Sequence, residues 1–181
     1  MEQLHKMGYY HRDIKPDNIL FFGGDTENEE ADSRVWKIGD LGLIEARDKD
    51  NLDRRGERIG PFGWISPEAG NKFMTEKYNL NLDCKIDEKS DVFQLGKLMW
   101  FIFQHNIPIG IIDRSDLTRS FDYDNETFAS IVKALQHGKA RRYDMAAMGA
   151  DLKVLAQPRV WVSPNPCINS SVPPKVRMNE E

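Results

Sequence analysis

The sequence predicts an α+β fold, predominantly α-helical, with one short β-hairpin near its start. Three observations predict it. Residues 19–22, ILFF, and residues 35–39, VWKIG, are short, apolar and β-favouring, and the glycine- and acid-rich GGDTENEEAD lies between them. Residues 91–104, DVFQLGKLMWFIFQ, carry apolar side chains around nearly the whole helical circumference, the pattern of a buried central helix. Residues 125–136, NETFASIVKALQ, space Phe128, Ile131, Val132 and Leu135 along one face, the pattern of an amphipathic surface helix.

The remaining elements follow in chain order. Residues 1–8 read as the last turns of a helix closed by Gly8 in the left-handed conformation. Residues 11–18, HRDIKPDN, form a polar loop that leads into the first strand, which is expected to be buried. The second strand returns to Asp40. Residues 41–65 are charged and irregular around RDKDNLDRRGER, and a loop that long in a compact domain is functional or disordered. Ser66 as N-cap and Pro67 in the first turn open a helix over 66–78. Ser90 is placed to cap the buried helix, and YDMAAMGADLKVL, 143–155, is read as a further helix. The domain division is 1–156 for the folded unit and 157–181 for a proline-containing, flexible tail.

Composition narrows the function. A net charge of −4 gives no basic field to draw in nucleic acid or an anionic membrane. Cys84 and Cys167 lie far apart without CxxC spacing, so a disulfide framework or zinc site is not expected. The N-terminus lacks the layout of a signal peptide, and the longest apolar run, 98–103, is too short to span a bilayer. These features point to a soluble cytoplasmic protein.

The chemistry concentrates in the loop. Asp13 and Asn18 share it, and Asp40 follows the neighbouring strand, so a hairpin can bring the three together. Two carboxylates and an amide oxygen are hard ligands suited to Mg²⁺ with phosphate oxygens completing the shell. Lys15 is a compact cation able to steady a transferring phosphate, and Asp13 can accept a hydroxyl proton. Phosphoryl transfer is the reaction class such a set serves. Taken singly, Asp13 or Asn18 could equally be a turn or cap residue.

HRDIKPDN (11–18), DLG (40–42), SPE (66–68) and SDVFQLG (90–96) resemble, in order and spacing, the catalytic loop, Mg²⁺ motif, activation-segment end and central helix of protein kinases. The resemblance covers roughly residues 1–155. It implies a kinase-like C-terminal lobe whose hairpin carries the catalytic and metal motifs, with ATP and Mg²⁺ as cofactors and a protein as substrate. By resemblance Asp13 is the catalytic base or the residue that orients the substrate hydroxyl, and Lys15 neutralises the γ-phosphate. Asn18 and Asp40 hold the metal, and Leu20 lies beneath the adenine. Glu68 pairs with an arginine, Arg142 before Arg141, and Asp91 anchors the catalytic loop. His11, Arg12, Leu41 and Gly42 support the site, His11 and Leu41 stacking in an apolar column beneath it.

Departures from the family shape the expectations. No GxGxxG occurs and ten residues precede His11, so the N-terminal lobe is expected upstream in a longer chain. The 181 residues alone are expected to be weak or inactive. DLG replaces the commoner DFG. No Ser, Thr or Tyr occurs from 43 to 65, so no phosphorylated residue there can pair with Arg12, and Asp50, Asp53 or Glu57 is the expected partner. Pro61 and the Trp64 spacing look like tyrosine kinases, whereas Lys15 is the serine/threonine form; the catalytic loop decides for serine/threonine. Two other readings stand beside this one: a single-lobe, pseudokinase-like binding or regulatory module, and a small-molecule phosphotransferase, against which Arg12, the Lys15–Pro16 pair and SPE weigh.

Overall fold

A computed structural model describes residues 1–23, 35–48, 53–118 and 125–156. Most of the GGDTENEEAD turn, Asp50 and the segment 157–181 lie outside the described residues. The fold is mixed α+β. Its helices are α1 (Glu2–Lys6), α2 (Pro67–Tyr78), α3 (Glu88–Gln104), α4 (Asn125–Ala134) and α5 (Met145–Leu155). Its strands are β1 (Tyr9–Tyr10), β2 (Ile19–Phe22), β3 (Val35–Ile38) and β4 (Glu45–Ala46). They form two antiparallel pairs, β1 with β4 and β2 with β3. Among the described residues no helix is long and apolar enough to cross a membrane.

Helix α3 is the post around which the rest packs. Val92 joins Ala134, Tyr143, Met145 and Met148 on one side. Phe93 and Trp100 join Ile112, Ile131 and Leu135 on another. Leu98 meets Ile14 and Trp64 on a third. Gly96 lets α4 come close, since a Cβ there would lie 2.8 Å from the Ala134 Cβ. The three apolar clusters hold the helix from different directions, as an apolar circumference requires.

Four sequence expectations are corrected. Helix α3 starts three residues before Asp91, with Asp87 as its N-cap. Ser90 sits at the third helical position and closes a capping box, its Oγ accepting from the Asp87 N–H at 3.1 Å. An aspartate and a serine three residues apart can each cap, and the helix takes the earlier one. Second, α3 is not apolar throughout: Asp91, Gln94 and Lys97 are buried, and Ile102 is exposed. Third, α4 ends at Ala134 and α5 starts at Met145 behind Asp144, whose carboxylate accepts from the Ala147 N–H.

The fourth correction concerns the first strand. Ile19 is half-buried, but Leu20, Phe21 and Phe22 are exposed. The hairpin covers its apolar side chains with one another, Phe21 against Trp36 at 4.8 Å between ring centroids, and with no further layer among the described residues. Ser66 caps α2, its Oγ accepting from the Ala69 N–H at 3.3 Å. Gly8 has φ +82 and follows α1 in the left-handed region.

Candidate active site

The loop 11–18 is held in an unusual backbone shape. Arg12 has φ +66, a conformation that costs a non-glycine residue about 1–2 kcal/mol. Asp91, fully buried on α3, offsets that cost. Its Oδ2 accepts from the His11 N–H and its Oδ1 from the Arg12 N–H, both at 2.8 Å. His5 Nε2 donates to the same Oδ2 at 2.8 Å. One turn along α3, Gln94 donates to the Arg12 carbonyl at 2.9 Å and accepts from the Ile14 N–H at 3.0 Å. One turn further, Lys97 donates to the carbonyls of Gly63 (2.6 Å) and Pro108 (3.1 Å). Burial pushes the Lys97 ammonium below the usual lysine range. Asp91, Gln94 and Lys97 thus form one polar stripe that clamps loop backbone.

Gln94, Lys97 and His5 are missing from the residues singled out by sequence. The three-residue spacing from Asp91 was an available signal, because residues three apart share a helix face.

Asp13 is buried and points its carboxylate at two donors. Lys15 Nζ lies 3.2 and 3.0 Å from its two oxygens, and Asn18 Nδ2 donates to Oδ2 at 2.8 Å. Asn18 Nδ2 also donates to the Asp13 carbonyl at 2.7 Å. With its nitrogen fixed there, the amide turns its oxygen the other way. The hairpin register pairs Ile19 with Ile38. The Gly39 N–H then donates to the Asn18 carbonyl at 2.8 Å, so Asn18 and Asp40 lie at the same end of the hairpin.

His11 ties the two motifs together. Its Nε2 donates to the Gly39 carbonyl at 3.1 Å, which leaves Nδ1 to accept the Asp13 N–H at 3.4 Å. Asp40 has φ +57, is exposed, and accepts from the Gly42 N–H at 3.0 Å. Leu20 is 44% exposed, with its Cδ1 only 2.7 Å from where a Gly39 Cβ would stand. Leu41 is corrected: it is 55% exposed, not stacked in a buried column with His11. Its turn projects from the end of the hairpin, where the described residues leave it uncovered.

Farther out, Glu68 and Arg142 meet in the interior. Arg142 donates from both terminal nitrogens, at 2.7 and 3.2 Å, and Ser90 Oγ donates to Glu68 at 2.7 Å. Arg141 is exposed. Arg12 meets Asp53 through both terminal nitrogens, at 2.8 and 3.1 Å, and Glu45 at 2.9 Å. Burial pushes the Glu45 carboxyl above its usual value, with Asp53 adding to the rise and Arg12 opposing it. Glu57 turns elsewhere, accepting from the Arg54 N–H at 3.1 Å.

Among the described residues no group of three His, Cys, Asp or Glu side chains is arranged to hold a metal by itself. The hairpin end brings together the Asn18 side-chain amide and the exposed Asp40 carboxylate, a hard donor set too small to enclose a cation. That set fits Mg²⁺, which keeps waters and takes phosphate oxygens beside one or two protein ligands.

A family model described as protein tyrosine and serine/threonine kinase matches residues 1–148. The serine/threonine-protein kinase PknL of Mycobacterium tuberculosis is 27% identical over 167 residues, covering 84% of this chain and 37% of that protein. The serine/threonine-protein kinase KSP1 of Saccharomyces cerevisiae is 34% identical over 124 residues, covering 68% of this chain and 10% of its own length. The serine/threonine-protein kinase cds1 of Schizosaccharomyces pombe is 31% identical over 109 residues, covering 58% and 20%. The chain therefore spans about a third or less of the length of these relatives.

Proposed function

The chain belongs to the protein tyrosine and serine/threonine kinase family, and from that membership we propose that the loop 11–18 transfers the γ-phosphate of ATP to a serine or threonine hydroxyl of a protein. One observation carries the reading: a buried Asp13 carboxylate gripped by Lys15 and Asn18, with Asp40 at the same end of the hairpin.

In this reading Asn18 and Asp40 hold Mg²⁺, which when bound neutralises phosphate charge. Asp13 accepts the proton of the attacking hydroxyl as that oxygen bonds to phosphorus and the bond to the departing ADP oxygen breaks. Asn18 and Lys15 fix the carboxylate's direction, so it waits in the geometry it needs. Lys15 is within reach of Asp13 and partly exposed, so it can be shared with the transferring phosphate. Leu20 offers the exposed apolar surface on which adenine rests. Lys15 in a DIKPDN loop, and the similarity to the serine/threonine-protein kinases above, support serine/threonine over tyrosine.

The residues 1–156 serve as the catalytic lobe. The nucleotide is closed in by a second lobe encoded in a longer chain, and the whole protein is the unit with activity. The supporting observation is the exposed apolar hairpin, Leu20, Phe21, Phe22 and Trp36, which a covering layer would bury.

Calorimetry of the full-length protein with ATP tests the metal assignment. Asp40→Ala is expected to weaken Mg²⁺-dependent ATP binding at least about tenfold, since even indirect partners of a bound metal are worth that much. An unchanged Mg²⁺ dependence contradicts the role of Asp40.

A further inference from the structure

We propose, on the kinase reading above, that Lys97 is a positioning residue whose buried ammonium ties the turn 61–64, beside Asp13, to the loop 106–110 beyond α3. Lys97 sits in the middle of α3 and is 7% exposed. Its Nζ donates to the Gly63 carbonyl at 2.6 Å and to the Pro108 carbonyl at 3.1 Å. It also lies 5.4 Å from the centroid of the buried Phe93 ring. Among the described residues no carboxylate pairs with it, so no anion offsets the burial of the charge. A helix that needed only a filled core would carry an apolar residue here. Lys97 instead directs its charge to two carbonyls from two separate loops.

The turn it holds is seated on both chain neighbours of Asp13. On one side, a Cβ on Gly60 would stand 3.1 Å from the Arg12 carbonyl oxygen. On the other, Trp64 packs with Ile14 and Leu98. Between these ends the turn closes on itself, the Trp64 N–H donating to the Pro61 carbonyl at 3.0 Å. Phe62 is 81% exposed, and Gly63, with φ +82, brings no side chain to anchor it. The Lys97 ammonium is thus the polar tie at the centre of the turn. On the kinase reading, a protein that brings its hydroxyl to Asp13 passes beside this turn, whereas ATP is held by Asn18, Asp40 and Leu20 on the hairpin. Lys97 therefore acts on the protein acceptor rather than on the nucleotide.

The ammonium can be removed without emptying the core. Methionine is close to lysine in size and leaves no buried charge, so the urea midpoint of Lys97→Met should stay close to that of the unaltered 181-residue chain. The turn should loosen all the same. Hydrogen exchange at the Trp64 amide is expected to rise at least about tenfold, the loss of one hydrogen bond from a charged donor, while the α4 amides keep their protection. In the full-length protein, kcat/KM for phosphate transfer to casein should fall about tenfold or more, with KM for ATP unchanged. A folded Lys97→Met whose Trp64 amide exchanges at the original rate overturns the proposal, and so does an equal rise at amides throughout the chain. A loosened turn with unchanged transfer to casein, or with ATP binding weakened as much as transfer, also overturns it. Failure of both Lys97→Met and Lys97→Leu to fold does the same, because the ammonium would then support the whole domain. Absence of transfer by the unaltered protein counts against the kinase reading and leaves the exchange result to decide on Lys97.

Discussion

Arg142→Leu is expected to remove about 3–5 kcal/mol of stability, enough to unfold most of a domain of ordinary stability. Arg142 and Glu68 are 0% and 2% exposed. The guanidinium satisfies both Glu68 oxygens and donates to the carbonyls of Gln136, Lys89 and His137. It also lies over the Phe93 ring at 4.8 Å. Leucine fills part of the space but leaves a buried carboxylate with the Ser90 hydroxyl still donating to it, and three carbonyls without the arginine as donor. A buried charge stripped of its partner costs more than the pair contributed, so Glu68→Leu with Arg142→Leu should be milder than Arg142→Leu alone. Urea unfolding of the single and double variants measures this. A single-variant loss below about 1 kcal/mol would show that the pair is solvated in solution.

Asp91→Ala should cost a similar amount, about 3–5 kcal/mol, and should be felt first in the loop. Three hydrogen bonds converge on the carboxylate, from His5, His11 and Arg12. Alanine leaves the His11 and Arg12 N–H groups buried without acceptors, each worth about 1–3 kcal/mol. It also frees Arg12 from the bond that holds its positive φ. Asparagine is a poor substitute, since its NH₂ would face an N–H donor at one of the two oxygen positions. Hydrogen exchange reads the effect locally. The His11 and Arg12 amides should lose protection well before those of α4, and protection equal to the unaltered chain would count against Asp91 as the anchor.

Much of the fold was legible because its signals are local. Pro67 after Ser66 starts α2, and the spacing of Phe128, Ile131, Val132 and Leu135 marks α4. The errors came where two local signals compete or where tertiary contact decides. Asp87 and Ser90 both suit a cap, and only the placement of the chain entering α3 selects Asp87. ILFF reads as a buried strand by composition, yet its exposure depends on what packs over the hairpin.

The site follows the same division. HRDIKPDN and DLG name the residue types within a few positions of one another. The partners of their backbone do not lie nearby in sequence. Gln94 and Lys97 bond to carbonyls of loops up to 82 residues away, and a polar residue on an apolar helix gives no hint which carbonyl it will meet. Charge alone offered Asp50, Asp53 and Glu57 to Arg12. The turn at 53–57 directs Asp53 inward and spends Glu57 on the Arg54 N–H.

The central claim is that Asp13 works on a hydroxyl during phosphoryl transfer. The most direct measurement is the rate of phosphate transfer from labelled ATP to protein by the full-length chain, intact and with Asp13→Asn, under saturating Mg²⁺. Asparagine keeps the size of the side chain, cannot take the proton and turns its NH₂ toward a donor, Lys15 or Asn18, so the rate should fall by at least about 10²–10⁴-fold, the usual contribution of a positioned general base, with ATP affinity little changed. Equal rates for the two proteins would contradict the claim.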